Sequence, residues 1–383
     1  MTDIDGGTIQ IKSMVENIPT DKLVWVSFGG ADKTVPLHML RFTKLIISSQ
    51  IYNRYVRYFF SRSFFRILYF KFIFIAFPEL MKKKVLNFIE AHGIEKIWIH
   101  MSGQTIHLAK LIMEQKSIPL HLSLQDDIDG HLDKQIADII RYDFYELLKK
   151  SDTCDVASKE MSNYYYEKYN CRLKSKEVII GSRLQALPDK IFVKDTFKSI
   201  AFAGNLWAID AFICFADAIK LLNKERSLQN KVSIHFYSQK YPIKIMVKYS
   251  FVQYMGLLNP QELPFQLQKH DLLYLPMSFS REKSILSRTS SPSKIITYMQ
   301  SQVPIISHGP DYASNIGFVT ETEIGLAITS TNPDEVAKLI IEYENDFNLR
   351  QIHSNNARTL IIEKYDSDKV TEKFVKYLYN NNN

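Results

Sequence analysis

From residue 96 onward, short apolar runs alternate with stretches of helical period, and this alternation limits the fold more than any other feature of the chain. The runs are KIWIHM, IPLHLSL, EVIIG, SIAFAG, VSIHFYS, FVQYMG, DLLYLPM, VPIISH and GLAITS. A strand that is apolar at nearly every position, not at alternate ones, is buried on both faces. Such strands, spaced widely enough for a crossover helix, form parallel sheets with helices on both sides. AIDAFICFADAIKLLNKE, after SIAFAG, supplies one crossover. STNPDEVAKLIIEYEN supplies another helix, with Asn332 as N-cap, Pro333 at the first helical position and Glu335 at the capping-box position. The fold class is α/β.

A length of 383 residues exceeds one ordinary core, so two domains are expected. RLQALPDKIFVKDTFK, residues 183–198, is weakly periodic and marks the break; SIAFAGN then starts a fresh strand–glycine–helix unit. The expected division is 1–185, 199–365, and a helix and tail at 366–383. Near the start, DIDGGTIQIKSMVENIP reads as a turn at Gly6 and Gly7, then an amphipathic helix through Ile9, Ile11, Met14, Val15 and Ile18. KLVWVSFGG reads as a strand. A parallel domain ordinarily has a strand before such a turn, so the first strand is either supplied differently or lies upstream of this chain.

Three scattered cysteines without a C-x-x-C pair argue against a disulfide framework or structural zinc. With no apolar leader in the first twenty residues, the expected location is cytoplasmic. The net charge of +7 is local: residues 33–78 hold Lys33, Arg41, Lys44, Arg54, Arg57, Arg62, Arg66 and Lys71 and no acid, so the remainder nets −1. Within this stretch, residues 51–77 carry twelve aromatics and five basic residues. The charges interrupt any apolar run long enough to span a bilayer, whereas a basic, aromatic-rich helix suits an anionic membrane surface. The alternative is a buried helix pair whose arginines reach out to solvent. No nucleic-acid-binding module is recognisable, so nucleic acid is not expected as a partner.

Four features of the second half follow expected strands. They are Gly204-Asn205, Tyr254 to Gly256, the polar loop LPMSFSREKSILSRTSSPSK, and a helix start at Pro-Ser-Lys. At that start Ser291 is expected as cap and Pro292 as first helical residue, with Ile295, Ile296 and Met299 buried. Ligands of open parallel sheets bind beyond the carboxyl ends of the strands, so these loops are expected to converge. Each feature alone also has a plain structural reading as turn, core or surface.

SIAFAGN, FVQYMGLLNPQELPFQLQKHDLLYLPM and PSKIITYMQSQVPIISHGP together resemble the donor half of GT-B glycosyltransferases, in particular the retaining, nucleotide-sugar-using family 4. KIWIHMSGQTIHLAKLIMEQKSIPLHLSLQDDI and SDTCDVASKEMSNYYYEKYN resemble their first half. The resemblance implies two Rossmann-like domains facing a cleft, the second holding a nucleotide sugar and the first an acceptor. It implies that Gly204 and Asn205 lie against the diphosphate, that Tyr254 and Gly256 border the base, and that Ser293 and Lys294 sit at the phosphate, with Arg288 as further positive charge. Gly6, Gly7, Ser102, Asp126 and Asp127 fall on the acceptor side.

Departures from the family pattern are definite. Thr297 and Thr289 stand where a Glu-x7-Glu pair is usual, with Glu282 the nearest carboxylate; Asn205 replaces a basic residue and Gln302 a glycine. Lys294 is therefore expected to neutralise the leaving diphosphate, with Glu282 and Asp127 as candidate carboxylates.

Asp127 and Asp129 form a D-x-D of the kind that holds a divalent cation in metal-dependent transferases. The order of the second half favours a type without a protein-held metal, so no metal or cofactor is expected and the nucleotide sugar is a substrate. Asp126 and Asp127 either orient an acceptor hydroxyl or cap the next helix. His100, His107 and His121 lie in or beside apolar segments, as core histidines do.

The expected function is sugar transfer from a nucleotide donor to a glycan or lipid-linked acceptor in cell-surface polysaccharide synthesis, peripheral to the inner membrane face. The alternatives are a degenerate GT-B protein that binds a glycan or partner without turnover, a metal-dependent transferase using Asp127 and Asp129, and a nucleotide-sugar epimerase. A dehydrogenase is not expected, because no G-x-G-x-x-G follows a strand.

Overall fold

Parallel strands cannot be joined by hairpins, and the chain places a helical crossover after nearly every strand. The computed structural model describes residues 11, 14, 15, 18–29, 42–49, 51, 54–171, 173–177, 184, 185, 187–190, 196–291 and 293–379. It forms two compact units, Met1–Val178 with Val370–Asn383, and Ile179–Lys369.

In the first unit β1 (Val24–Gly29) and β2 (Thr43–Ser48) pair in parallel as a two-stranded sheet. Strands β3 (Ile97–His100), β4 (Leu120–Leu124), β5 (Thr153–Val156) and β6 (Ser175–Glu177) form a four-stranded parallel sheet in that order. The amphipathic pattern at the start has its cause in a cluster where Met14, Val15 and Ile18 are buried with Phe42, Phe374 and Leu378. Two of those partners come from the last helix, Ser367–Tyr379, which packs into this unit. Phe374 meets Trp98 edge-on at 4.9 Å, and the Tyr377 hydroxyl donates to the Cys154 carbonyl at 2.9 Å.

Residues 66–91 form one continuous helical run, Arg66–Lys71, a π-helical stretch Phe72–Ala76, and Phe77–Ala91. Pro78 explains the wide turn. It has no N–H to donate and its ring would collide with the carbonyl four residues back in a regular helix.

The second unit carries six parallel strands: β7 (Ser199–Ala203), β8 (Ser233–Tyr237), β9 (Val252–Gly256), β10 (Leu272–Pro276), β11 (Ile305–His308) and β12 (Gly325–Ile328). Their spatial order is β9-β8-β7-β10-β11-β12, the doubly wound arrangement. Every residue of β10 is buried, which accounts for the uninterrupted apolar run LLYLP. Phe215, from the crossover helix Ile209–Glu225, stacks on Tyr274 at 3.9 Å and fixes that helix on the sheet.

Candidate functional site

Strands β7 and β10 are neighbours, but the chain leaves them in opposite directions. At such a reversal an open parallel sheet characteristically has its ligand crevice, beyond the carboxyl ends of the two strands. Gly204 follows β7 there with φ +104, a conformation that side-chain-bearing residues rarely adopt. Its N–H donates to the Tyr237 carbonyl at 2.8 Å. A Cβ built there would lie 3.5 Å from both Cε and Nζ of Lys294. Two features separated by ninety residues of sequence thus meet.

Lys294 opens the helix Lys294–Gln300, and its Nζ lies 4.4 Å from the centre of the Phe202 ring. The side chain keeps some exposed surface, but protein atoms crowd its ammonium, and this desolvation lowers its pKa to about 8. Among the described residues no carboxylate pairs with it. A cation brought out of water beside a glycine turn, with no carboxylate partner among the described residues, can pair with an anion.

The walls of the crevice are tied together. The Asp210 carboxylate, in the first turn of the crossover helix, accepts from the Ser278 hydroxyl at 2.8 Å, Phe279 N–H at 2.7 Å and Ser280 N–H at 3.0 Å. Lys283 donates to the Trp207 carbonyl at 2.5 Å. The loop after β7 is therefore fastened to the loop after β10 at two points. Ser287, buried on the helix Ser284–Thr289, donates to the Ser278 carbonyl at 2.8 Å and holds the long polar segment down. The sequence reading missed Asp210 and Lys283. An acid in the first turn after a glycine loop was visible, but its partners lie about seventy residues away.

The other expected donor-side residues fall beside Gly204, at the end of β9 and on the segment after β10. Asn205 is exposed next to Gly204. Gly256 ends β9 at φ +77, and its carbonyl accepts from Ser238 N–H at 2.9 Å. Tyr254 directs its hydroxyl to the Ser238 carbonyl at 2.8 Å and so braces the loop after β8. Ser293 occupies the cap position of the Lys294 helix with helical backbone and no side-chain cap bond, so Ser291 is not the cap; Pro292 lies outside the described residues. Glu282 is exposed on the turn Arg281–Lys283, and Arg288 is half-buried on the next helix. Thr297 is half-buried, whereas Thr289 is fully buried and donates to the Ile285 carbonyl at 2.8 Å. Gln302 has φ +59, which gives the physical reason a glycine is usual there.

In the first unit, Ser102 precedes the helix Gly103–Gln115, and its N–H donates to Thr105 Oγ1 at 2.9 Å. Asp126 is exposed. Asp127 is 1% exposed and caps the helix Ile128–His131, accepting from Asp129 N–H at 2.8 Å. Burial raises its pKa, with Lys168 opposing. Of the two roles open to it, the cap is the one with visible contacts. Asp129 is paired with Arg141 at 2.6 Å and with Lys168; burial pushes its pKa up, but these two cations outweigh that and hold it low. The D-x-D thus commits Asp127 Oδ1 to a cap and Asp129 to an ion-pair network, and the remaining Asp127 oxygen is buried, a poor fit to an open cation site. His121 bonds Thr153 at 2.8 Å and Asp155 at 2.9 Å inside the sheet, and His107 bonds Asp143 at 2.6 Å. Both histidines have structural partners. Gly6 and Gly7 lie outside the described residues.

No family model matches the chain, and no curated protein does. Solved structures do match. HepE of Anabaena, solved with UDP, is 12% identical over 98% of this chain and 96% of its own, with a TM-score of 0.66. A trehalose-phosphate synthase from Burkholderia xenovorans, solved with glucose-6-phosphate, is 11% identical over 99% and 98%, with a TM-score of 0.64. TarM of S. aureus is 18% identical over 69% of this chain, with a TM-score of 0.51; the match spans about half of TarM's length, 51%. These neighbours are GT-B glycosyltransferases, and likeness at this level of identity establishes the fold: two parallel-sheet α/β units of GT-B type.

Proposed function

We propose that this chain is a glycosyltransferase that takes a sugar from a nucleotide-sugar donor bound in the crevice of the second unit. The observation that carries the reading is the desolvated, carboxylate-free Lys294 ammonium against the left-handed Gly204 turn at the β7/β10 reversal. Sugar transfer breaks the bond between the anomeric carbon and the diphosphate and forms one to an acceptor hydroxyl, whose proton leaves. The departing diphosphate gains negative charge as the bond breaks, and a cation already stripped of water stabilises it with little reorganisation. Lys294 fills that role, and Gly204 lets the phosphates approach its backbone.

The finer reading is a retaining transfer to a glycan or lipid-linked acceptor in polysaccharide synthesis, at the inner membrane face. The basic aromatic segment of the first unit supports the membrane part, since such a segment suits an anionic surface. Among the described residues no helix is long and apolar enough to cross a membrane. A second reading, binding without turnover, is favoured by the threonines at 289 and 297, which offer no carboxylate to a ribose.

Thermal unfolding with a panel of UDP-, GDP- and ADP-sugars tests the proposal, because a ligand that prefers the folded state raises its melting point. One nucleotide series is expected to raise Tm, and Lys294→Ala to abolish the rise. No response to any sugar nucleotide refutes the donor site. A response with neither hydrolysis nor transfer selects the second reading.

A further inference from the structure

Folded proteins rarely leave several large apolar side chains together in water. The first unit does so in one place. Tyr55, Phe59, Phe64, Phe65 and Leu68 are 81%, 67%, 97%, 57% and 65% exposed. They lie on the helices Arg54–Ser61 and Arg66–Lys71 and the turn between them. The two helices hold each other: Phe60 stacks on Tyr69 at 5.2 Å, and the Tyr69 hydroxyl donates to the Ile51 carbonyl at 2.7 Å. Tyr69, Phe70, Ile73 and Phe74 are buried beneath, so this pair has an apolar face inside and a second one outside.

The outer face also carries charge of one sign. Arg57, Arg62 and Lys71 are exposed among the aromatics, and Arg62 lies 4.3 Å above the Tyr58 ring. Two acids border the patch. Asp133 pairs with Arg66 at 3.2 Å, and Glu79 pairs with Lys82 at 3.5 Å. Aromatic rings interleaved with arginines complement a headgroup layer, where rings enter the acyl boundary and guanidiniums meet phosphates.

The patch is fixed to the carboxyl ends of the first unit's strands. A Cβ on Gly103, three residues beyond β3, would stand 2.6 Å from the tip of the buried Phe74 ring, so any side chain there would have to push that ring aside. The Arg66–Asp133 pair makes a second attachment, beyond β4.

We infer that the turn at residues 62–65 inserts Phe64 and Phe65 into the headgroup region of an anionic phospholipid bilayer, and thereby holds the carboxyl ends of β3 and β4 at that surface. The inference deepens the proposed reading and rests on its membrane-facing acceptor: a lipid-anchored acceptor would reach those strand ends by lateral diffusion. Insertion differs from electrostatic adsorption in that part of the attraction survives high salt.

The test uses the full chain and vesicles of phosphatidylcholine and phosphatidylglycerol, three to one. The chain is expected to float with these vesicles at physiological salt and much less with phosphatidylcholine alone. Phe64→Ser with Phe65→Ser should lower partitioning about 30-fold, a loss retained at 0.5 M salt. Arg57→Gln and Arg62→Gln should each lower it about fivefold, a loss erased by salt. Both pairs are exposed, and unchanged thermal unfolding confirms that the variants fold. In Phe64→Trp, the added emission should shift to the blue on vesicles and be quenched by brominated acyl chains. The inference is overturned if the chain does not float. It is equally overturned if the tryptophan emission stays unshifted on vesicles that do float the chain, or if the serine variant abolishes self-association and leaves flotation unchanged. Sugar-nucleotide affinity, measured on the same samples, reports the donor site separately: a chain that floats but binds no sugar nucleotide loses the donor reading and keeps the insertion.

Discussion

In the proposed donor site Lys294 would make affinity a function of pH, and the size of the effect follows from its surroundings. In the free protein the ammonium titrates at about 8 against an ordinary 10.5, because burial disfavours its charge. A bound diphosphate favours the charged form and returns the pKa to 10.5 or above. Binding is then fully supported below pH 8 and weakens as pH rises through that value, tenfold per unit until the complex itself titrates. Between pH 7 and pH 9 the expected loss is about tenfold, or about 1.4 kcal/mol. Isothermal titration of a sugar nucleotide across this range measures it directly. Such a donor carries no titrating terminal phosphate, so the slope reports the protein. In Lys294→Gln, affinity should be lower by about 1.5–3 kcal/mol at pH 7, as for loss of a charged hydrogen-bond partner, and the slope should vanish. An affinity constant from pH 7 to 9, or an equal slope in the glutamine variant, would refute the argument that this ammonium meets the diphosphate.

Two further outcomes follow from contacts in the second unit. His270 is buried with Nε2 2.9 Å from the Tyr237 hydroxyl, and burial, with His235 and Lys190 adding repulsion, lowers its pKa to about 3. The unfolded chain therefore binds a proton that the folded one refuses. Stability is complete above pH 6.5 and falls as pH drops towards 3, by about 2 kcal/mol at pH 5, and urea denaturation at pH 7 and 5 should show His270→Gln losing most of that difference. Asp210→Asn removes the charge that gathers Ser278, Phe279 and Ser280; amide exchange across residues 278–280 should accelerate, with a stability loss of about 1–3 kcal/mol.

Much of the fold can be read without coordinates, for a physical reason. Strands buried on both faces must be apolar throughout, so SIAFA, DLLYLP and VPIISH declare themselves, and the helices between them carry their own caps and periodicity. β5 escapes that logic. TCDV looks polar, yet Asp155 is 0% exposed, bonded to His121 at 2.9 Å and to Ser123 from the neighbouring strand. Its burial depends on partners more than thirty residues away. The helix start at Pro-Ser-Lys shows the same limit at its edge. The sequence places a helix there, but the structure begins it at Lys294 with Ser293, not Ser291, in the cap position.

The site divides along the same line. Sequence alone determined that glycine turns and a helix near Pro-Ser-Lys follow apolar strands, because local periodicity and turn chemistry are written in neighbouring residues. Only the tertiary structure decided that Lys294 stands against Gly204, that Asp210 fastens the loop after β10, and that Asp127 and Asp129 turn to a cap and an ion pair. Sheet order decides those encounters, and it depends on how whole crossovers pack, a property that no short stretch of the chain contains.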